Sequence, residues 1–151
     1  MMVSIIVPCY NEEEALPYFM REIRRTEAEL SAAYGCTFEL LFVDDGSKDR
    51  TLEVLRSFAG DGVRYLSFSR NFGKEAAMYA GLQHARGEYV AIMDADLQHP
   101  PAMLKEMYEG LQSEEYDCVA ARRESRKPTT TTMPETNSAA MASAICKMLR
   151  K

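Results

Sequence analysis

The hydrophobic positions fall into two alternating rhythms. Val3–Val7, Phe38–Val43, Val63–Phe68, Tyr89–Met93 and Tyr116–Ala121 are short, nearly continuous apolar runs rich in β-branched and aromatic residues. That is the pattern of strands covered on both faces within a parallel sheet. Between them, apolar residues recur every three or four positions: Leu16, Phe19, Ile23 and Leu30; Leu52, Leu55 and Phe58; Ala77, Ala80, Gly81 and His84; Leu104, Met107 and Leu111. These spacings predict helices. Asn11 is the expected cap of the first, with Glu12–Glu14 in its opening turn. The second is expected after Asp49, and the fourth opens at Pro100–Pro101, where proline suits a first helical turn. The third has an unusually small-sided face that predicts close packing on the sheet. A β-α repeat of this kind implies a doubly wound, mostly parallel α/β sheet with helices on both faces.

The rhythm stops near Arg126. Residues 1–126 read as one domain, and residues 127–138 as a Thr/Pro-rich linker or loop. Residues 139–151 read as a short basic amphipathic helix, on the spacing of Met141, Ile145, Met148 and Leu149. No run approaches the roughly 20 apolar residues of a membrane span. The opening MMVSIIVPCY lacks a basic leader segment and is interrupted by Pro8, so a buried strand is expected there instead of a signal peptide.

Composition adds an asymmetry. The 151 residues are 46% hydrophobic and 27% charged with a net charge of −5, values of a globular chain that disfavour nucleic acid as partner. Residues 122–151 hold seven Lys/Arg and two Asp/Glu, a balance of +5, which leaves −10 on residues 1–121. Cys9, Cys36, Cys118 and Cys146 are widely separated, with no C-x-x-C pair. They predict neither a disulfide framework nor a zinc site, and a reducing setting.

In open α/β sheets, ligands bind beyond the carboxyl ends of the strands. Those positions carry Pro8-Cys9-Tyr10-Asn11-Glu12, Asp44-Asp45-Gly46-Ser47, Ser69-Arg70-Asn71-Phe72-Gly73-Lys74 and Asp94-Ala95-Asp96-Leu97-Gln98-His99. Taken singly each has an ordinary structural explanation: turn formers, a helix cap, a solvated lysine. Together they bring carboxylates to one sheet edge, a costly arrangement unless a cation or sugar hydroxyls engage them. No G-x-G-x-x-G follows a strand, and neither a P-loop nor a nucleophile elbow occurs, which disfavours dehydrogenases, P-loop NTPases and α/β-hydrolases. A receiver-type signalling domain would carry its acidic residues after the first and third strands, not the second and fourth. An aspartate-nucleophile phosphatase would carry Thr or Val where Gln98 stands.

These four segments, in their order and spacing over about residues 3–126, resemble the inverting family 2 glycosyltransferases. The likeness is to the polyprenyl-phosphate branch that includes dolichyl-phosphate mannose synthase and bactoprenol glucosyltransferases. The resemblance implies a GT-A, Rossmann-like fold, a nucleotide-sugar donor of UDP-glucose or GDP-mannose type, and Mg²⁺ or Mn²⁺. It implies a polyprenyl phosphate or other glycan as acceptor. By the same likeness, Pro8, Tyr10 and Glu12 line the nucleotide pocket, with Val43 and Asp45 near base and ribose. Asp94 and Asp96 match the D-x-D pair. Asp96 and Gln98 would hold the metal, Asp94 and Ala95 would touch the nucleotide, and Arg123 would reach the sugar diphosphate. Family members continue beyond the Arg123 region. The chain is therefore expected to be a donor-binding domain, either active or binding donor without transfer. It is expected on the cytoplasmic side of the membrane, meeting the membrane surface through residues 122–151.

Overall fold

The computed structural model of the chain describes residues 1–98, 100–112 and 117–121, and the backbone of 143–147. The elements run β1 (Met2–Cys9), α1 (Leu16–Tyr34), β2 (Thr37–Asp44), α2 (Thr51–Phe58), β3 (Val63–Ser67), α3 (Lys74–His84), β4 (Tyr89–Ile92), α4 (Met103–Gln112), β5 (Cys118–Ala121) and β6 (Ser143–Lys147). They form one sheet in the order β3-β2-β1-β4-β6-β5. β3, β2, β1 and β4 are parallel neighbours, and β6 runs antiparallel between β4 and β5. The expected doubly wound sheet is present, with the chain reversing direction of growth at β1, between β2 and β4.

The main core lies between the sheet and the helices α1, α2 and α4. Leu16, Phe19, Ile23, Leu30, Leu55, Leu104, Met107 and Leu111, all marked by their spacing, are buried there against Ile5, Leu40 and Phe42. The other face is thinner. Ile6, Val43 and Val90 meet Ala77 of α3 in a separate small cluster. The small-sided face of α3 is what allows this: a Cβ on Gly81 would lie 3.2 Å from Cδ1 of Ile6 and closer still to its Cγ2.

Three expectations are corrected. First, α1 does not start at Asn11. Its amide and those of Glu12 and Glu13 donate to Ser47 Oγ (3.0 Å), Thr51 Oγ1 (2.8 Å) and Asp49 Oδ2 (3.3 Å). The segment is thus stitched to the β2–α2 loop, Asn11 sits at φ 54°, and the helix is delayed to Leu16. Second, residues 143–147 are a strand where a helix was expected. A short isolated helix is marginal in water, whereas the open edge of β4 presents unpaired amides and carbonyls that a strand satisfies. The rest of 139–151, and the linker, lie outside the described residues. Third, Cys9 and Cys36 are free and buried, but Cys118 is disulfide-bonded. The β5–β6 register sets Cys118 opposite Cys146, a proximity that sequence spacing does not reveal. Among the described residues, no helix is long and apolar enough to cross a membrane.

Candidate functional site

The carboxyl ends of β1, β2 and β4, with the loop after β3, enclose a cleft of about 390 Å³. It is lined by Pro8, Cys9, Tyr10, Glu12, Asp45, Asn71, Gly73, Lys74, Asp94, Ala95 and Asp96. Seven of the expected site residues therefore meet in one place: Pro8, Tyr10, Glu12, Asp45, Asp94, Ala95 and Asp96. This is the crevice where the sheet order reverses, the position at which open α/β sheets take ligands.

Two aspartates build the frame. Asp44, buried at the end of β2, accepts the Ser47 amide (3.0 Å) and the Ser67 hydroxyl (2.9 Å), which ties its own turn to β3. Asp45 is buried as well and reaches across to the β3–α3 loop, where it accepts the amides of Phe72 (2.7 Å) and Gly73 (3.0 Å). Gly46 lets the two loops touch. It sits at φ 69°, and a Cβ there would come within 2.6 Å of the Asn71 nitrogen. The loop that brings Asn71 and Lys74 into the cleft is thus locked from β2.

The β4 loop delivers the acidic pair. Asp94 is partly buried and Asp96 exposed, with Ala95 buried between them. The turn closes through Leu97, a non-glycine residue at φ 56°, and through the Gln98 amide donating to Asp96 Oδ1 (3.1 Å). Left-handed backbone at a residue such as leucine is strained and tends to occur at functional sites. Lys74, the first residue of α3, closes on Asp94 at 2.7 Å from Oδ1 and 2.8 Å from Oδ2.

The electrostatics are those of an anionic cleft. The Glu12 carboxyl is pushed up by partial burial and then by the nearby charges of Asp96, Asp94 and Asp49. Burial, reinforced by Glu12, Asp44 and Asp94, raises the Cys9 thiol well above its ordinary value. Cys9 is therefore a protonated wall residue and not a nucleophile. Among the described residues, no group of three or more His, Cys, Asp or Glu is placed to hold a metal ion by itself. Asp96 and Asp94 stand near enough to Glu12 to raise its carboxyl, and a Mg²⁺-type site takes one or two carboxylates and leaves the rest of its shell to water and phosphate oxygens.

Not every expected residue reaches the cleft. Val43 is fully buried with Ile6, Ala77 and Val90 and does not line the cleft. Gln98 lies on the β4 loop next to the cleft lining, exposed, with its amide on Asp96. Arg123 and His99 lie outside the described residues. Lys74 and Asn71 are the additions. Their position in the loop after a strand was the available signal, and an ordinary solvated lysine was the competing explanation.

The comparisons agree with this geometry. Residues 4–149 match the model of Glycosyl transferase family 2. The putative glycosyltransferase CsbB of Bacillus subtilis (strain 168) is 44% identical over 124 residues, which is 81% of this chain and 36% of that protein. The bactoprenol glucosyl transferase of Shigella phage SfV is 41% identical over 128 residues, 83% of this chain and 40% of its own. The chain thus spans well under half the length of these relatives. Among solved structures, the mannosyltransferase PcManGT from Pyrobaculum calidifontis, in complex with GDP-Man and Mn²⁺, superposes with a TM-score of 0.66. It is 27% identical, covering 80% of this chain and 35% of that one. With the chain matched by the family model over residues 4–149 and the reversal-point cleft holding its acidic pair, the chain belongs to glycosyl transferase family 2, with the GT-A Rossmann-like fold.

Proposed function

We propose that this chain is the donor-binding domain of an inverting glycosyltransferase that passes a sugar from a nucleotide-sugar to a polyprenyl phosphate. The observation that carries the reading is the meeting of Pro8, Tyr10, Glu12, Asp45, Asp94 and Asp96 in one cleft at the reversal point of the sheet. Relatives that include a bactoprenol glucosyl transferase support the acceptor class. UDP-glucose is the first donor candidate, from the likeness in Asn71–Glu75, and GDP-mannose the second.

In this reading Pro8 and Tyr10 form the wall against which the nucleoside lies, and Asp94 and Ala95 meet the nucleotide. Asp96 and Gln98 would hold Mg²⁺ or Mn²⁺, and Glu12 would line the nucleotide pocket. When bound, the cation neutralises charge on the departing diphosphate. Arg123 adds a fork of donors to the same oxygens. An ionised oxygen of the lipid phosphate attacks the anomeric carbon, the bond to the nucleoside diphosphate breaks on the opposite side, and the configuration inverts. The attacking oxygen carries its charge already, so no side chain is required to remove a proton from it. Asp45 accepts the loop amides of Phe72 and Gly73 with one bond on each oxygen and keeps acceptor capacity for the nucleoside, near base and ribose. The whole protein works at the cytoplasmic face of the membrane.

Calorimetry with UDP, GDP and dTDP, each with and without Mn²⁺, tests the reading. Metal-enhanced binding of one nucleoside diphosphate is expected. No binding of any of the three, with or without Mn²⁺, rejects it. A transfer assay on a longer form of the protein tests the acceptor.

A further inference from the structure

Lys74 is placed where an ordinary helix would not choose a lysine. It is the first residue of α3, and a positive charge there opposes the helix dipole. Nor is it loosely held. Asp45 fixes the two preceding residues by their amides, and Gly46 packs against the loop that carries them. The ammonium is brought within 2.8 Å of both Asp94 oxygens, although the lysine itself remains half exposed. Among the described residues lining the cleft it is the one cationic side chain, set against Glu12, Asp45, Asp94 and Asp96.

We propose that Lys74 is the resident counter-cation of this cleft: it neutralises Asp94 while no donor is bound, gives way when the charge of a divalent cation enters beside that carboxylate at Asp96, and then takes an oxygen of the donor's diphosphate. This rests on the donor-site reading above and adds a residue that exchanges partners during binding. The exchange is physically reasonable because the initial pair is weak. A partly exposed ion pair contributes little, and a divalent cation with phosphate oxygens outcompetes it. The short tether keeps the released ammonium in the cleft.

The exchange has an unusual signature, opposite signs for metal and nucleotide. Mn²⁺ binding to the chain without nucleotide, followed by the free-ion electron paramagnetic resonance signal, should tighten about two- to fivefold in Lys74→Met, the range of a partly exposed pair. With Mn²⁺ saturating, UDP or GDP, whichever the wild type binds, should bind the same variant several-fold more weakly. Lys74→Arg should restore both affinities towards wild type. Arg70→Gln removes the same charge from the same loop and should leave Mn²⁺ affinity unchanged. On an Asp94→Asn background, Lys74→Met should no longer tighten Mn²⁺. Equal or weaker Mn²⁺ binding in Lys74→Met overturns the proposal, as does unchanged nucleotide affinity. Absence of Mn²⁺ binding by both wild type and Lys74→Met overturns it too, and nucleoside-diphosphate binding in those samples would leave the donor-site reading standing.

Discussion

At the scale of single residues, the aspartates of the cleft divide into builders and binders. Asp96 has an exposed carboxylate with a single described partner, the Gln98 amide. On the proposed reading, in which Asp96 holds the cation, Asp96→Asn removes an anionic oxygen that a hard cation requires. It should abolish the Mn²⁺-dependent part of nucleoside-diphosphate binding, measured by calorimetry, while the metal-independent part stays. Asp45 is a builder. Asp45→Ala leaves the Phe72 and Gly73 amides without acceptors, at a cost of about 1–3 kcal/mol if they stay dry. Hydrogen exchange at those two amides should accelerate, and nucleoside and nucleoside diphosphate should weaken alike. The sequence showed Asp45 beside the cleft but not its partners, because the Phe72 and Gly73 amides lie 27 and 28 residues away. Likeness alone names Val43 beside Asp45, and its side chain packs with Ile6, Ala77 and Val90, partners that lie far from it in sequence.

At the scale of elements, the same distinction governs what was legible. The strands and the buried faces of α1 and α4 followed from periodicity alone, since packing on one sheet face needs only that Leu16, Phe19, Ile23, Leu104 and Leu111 share a stripe. The start of α1 did not. Its capping residue was recruited by a neighbouring loop, with the Lys48 amide donating to Asn11 Oδ1 (2.9 Å), and propensity has no view of such competition. The contact of α3 with β1 was foreseen from its small residues and makes a clear test. Gly81→Ala gains up to about 1 kcal/mol of helix preference but forces a methyl against Ile6, a fully buried residue, and overpacking costs about 1–3 kcal/mol. Net destabilisation is expected in urea titration, and Ile6→Val in the same chain should recover part of it. Recovery exceeding wild-type stability would mean that the glycine serves no packing purpose.

A second element-scale feature is the polar staple at the opposite end of the sheet from the cleft. Glu39 of β2 accepts the Ser4 hydroxyl (2.6 Å), the Arg86 amide (3.0 Å) and an ion pair from Arg64 of β3. Burial alone would raise its carboxyl, but the hydrogen bonds from Ser4, Arg64 and Arg86 prevail and hold it below the usual value. For a carboxylate lowered on folding, the stabilisation is present above the unfolded-state value near 4.5 and is lost as pH falls through the folded one. Glu39→Gln should therefore lower the melting temperature at pH 7 and narrow its gap to wild type as the solution is acidified below about 4.5. Glu27 of α1 has the reverse sense. Burial raises it against the pull of Arg24, and its Oε1 has no hydrogen-bond partner among the described residues. Its contribution is present below the unfolded value and fades as pH rises through the folded one, so Glu27→Gln should be neutral or stabilising at pH 7.

At the scale of the whole molecule, the tail changes meaning once β6 is seen. Charge alone assigned residues 122–151, at +5, to an anionic surface that the −10 of residues 1–121 would avoid. Near such a surface each basic residue contributes about 1 kcal/mol, decaying over a Debye length of about 10 Å at 0.1 M salt. That argument still predicts weak, salt-sensitive association with anionic liposomes. It also treated the tail as separable from the body, and the topology denies this. Ala144 to Lys147 pair with Ile92 to Tyr89 of β4, and Ser143 to Cys146 pair with Ala121 to Cys118 of β5. β5 reaches the rest of the sheet only through this strand. Ending the chain at Ala142 would expose the edge of β4 and leave β5 packed only against α4 among the described elements, and a backbone group left unpaired away from water costs about 1–3 kcal/mol. The truncated chain should lose liposome binding and also melt at a lower temperature, with faster exchange of the Tyr89–Ile92 amides. Nucleoside-diphosphate affinity should fall at the same time, because β4 carries Asp94 and Asp96 into the cleft. A truncated chain that lost liposome binding alone, with melting temperature and nucleotide affinity unchanged, would show β6 to be dispensable to the fold and return the tail to a purely peripheral role.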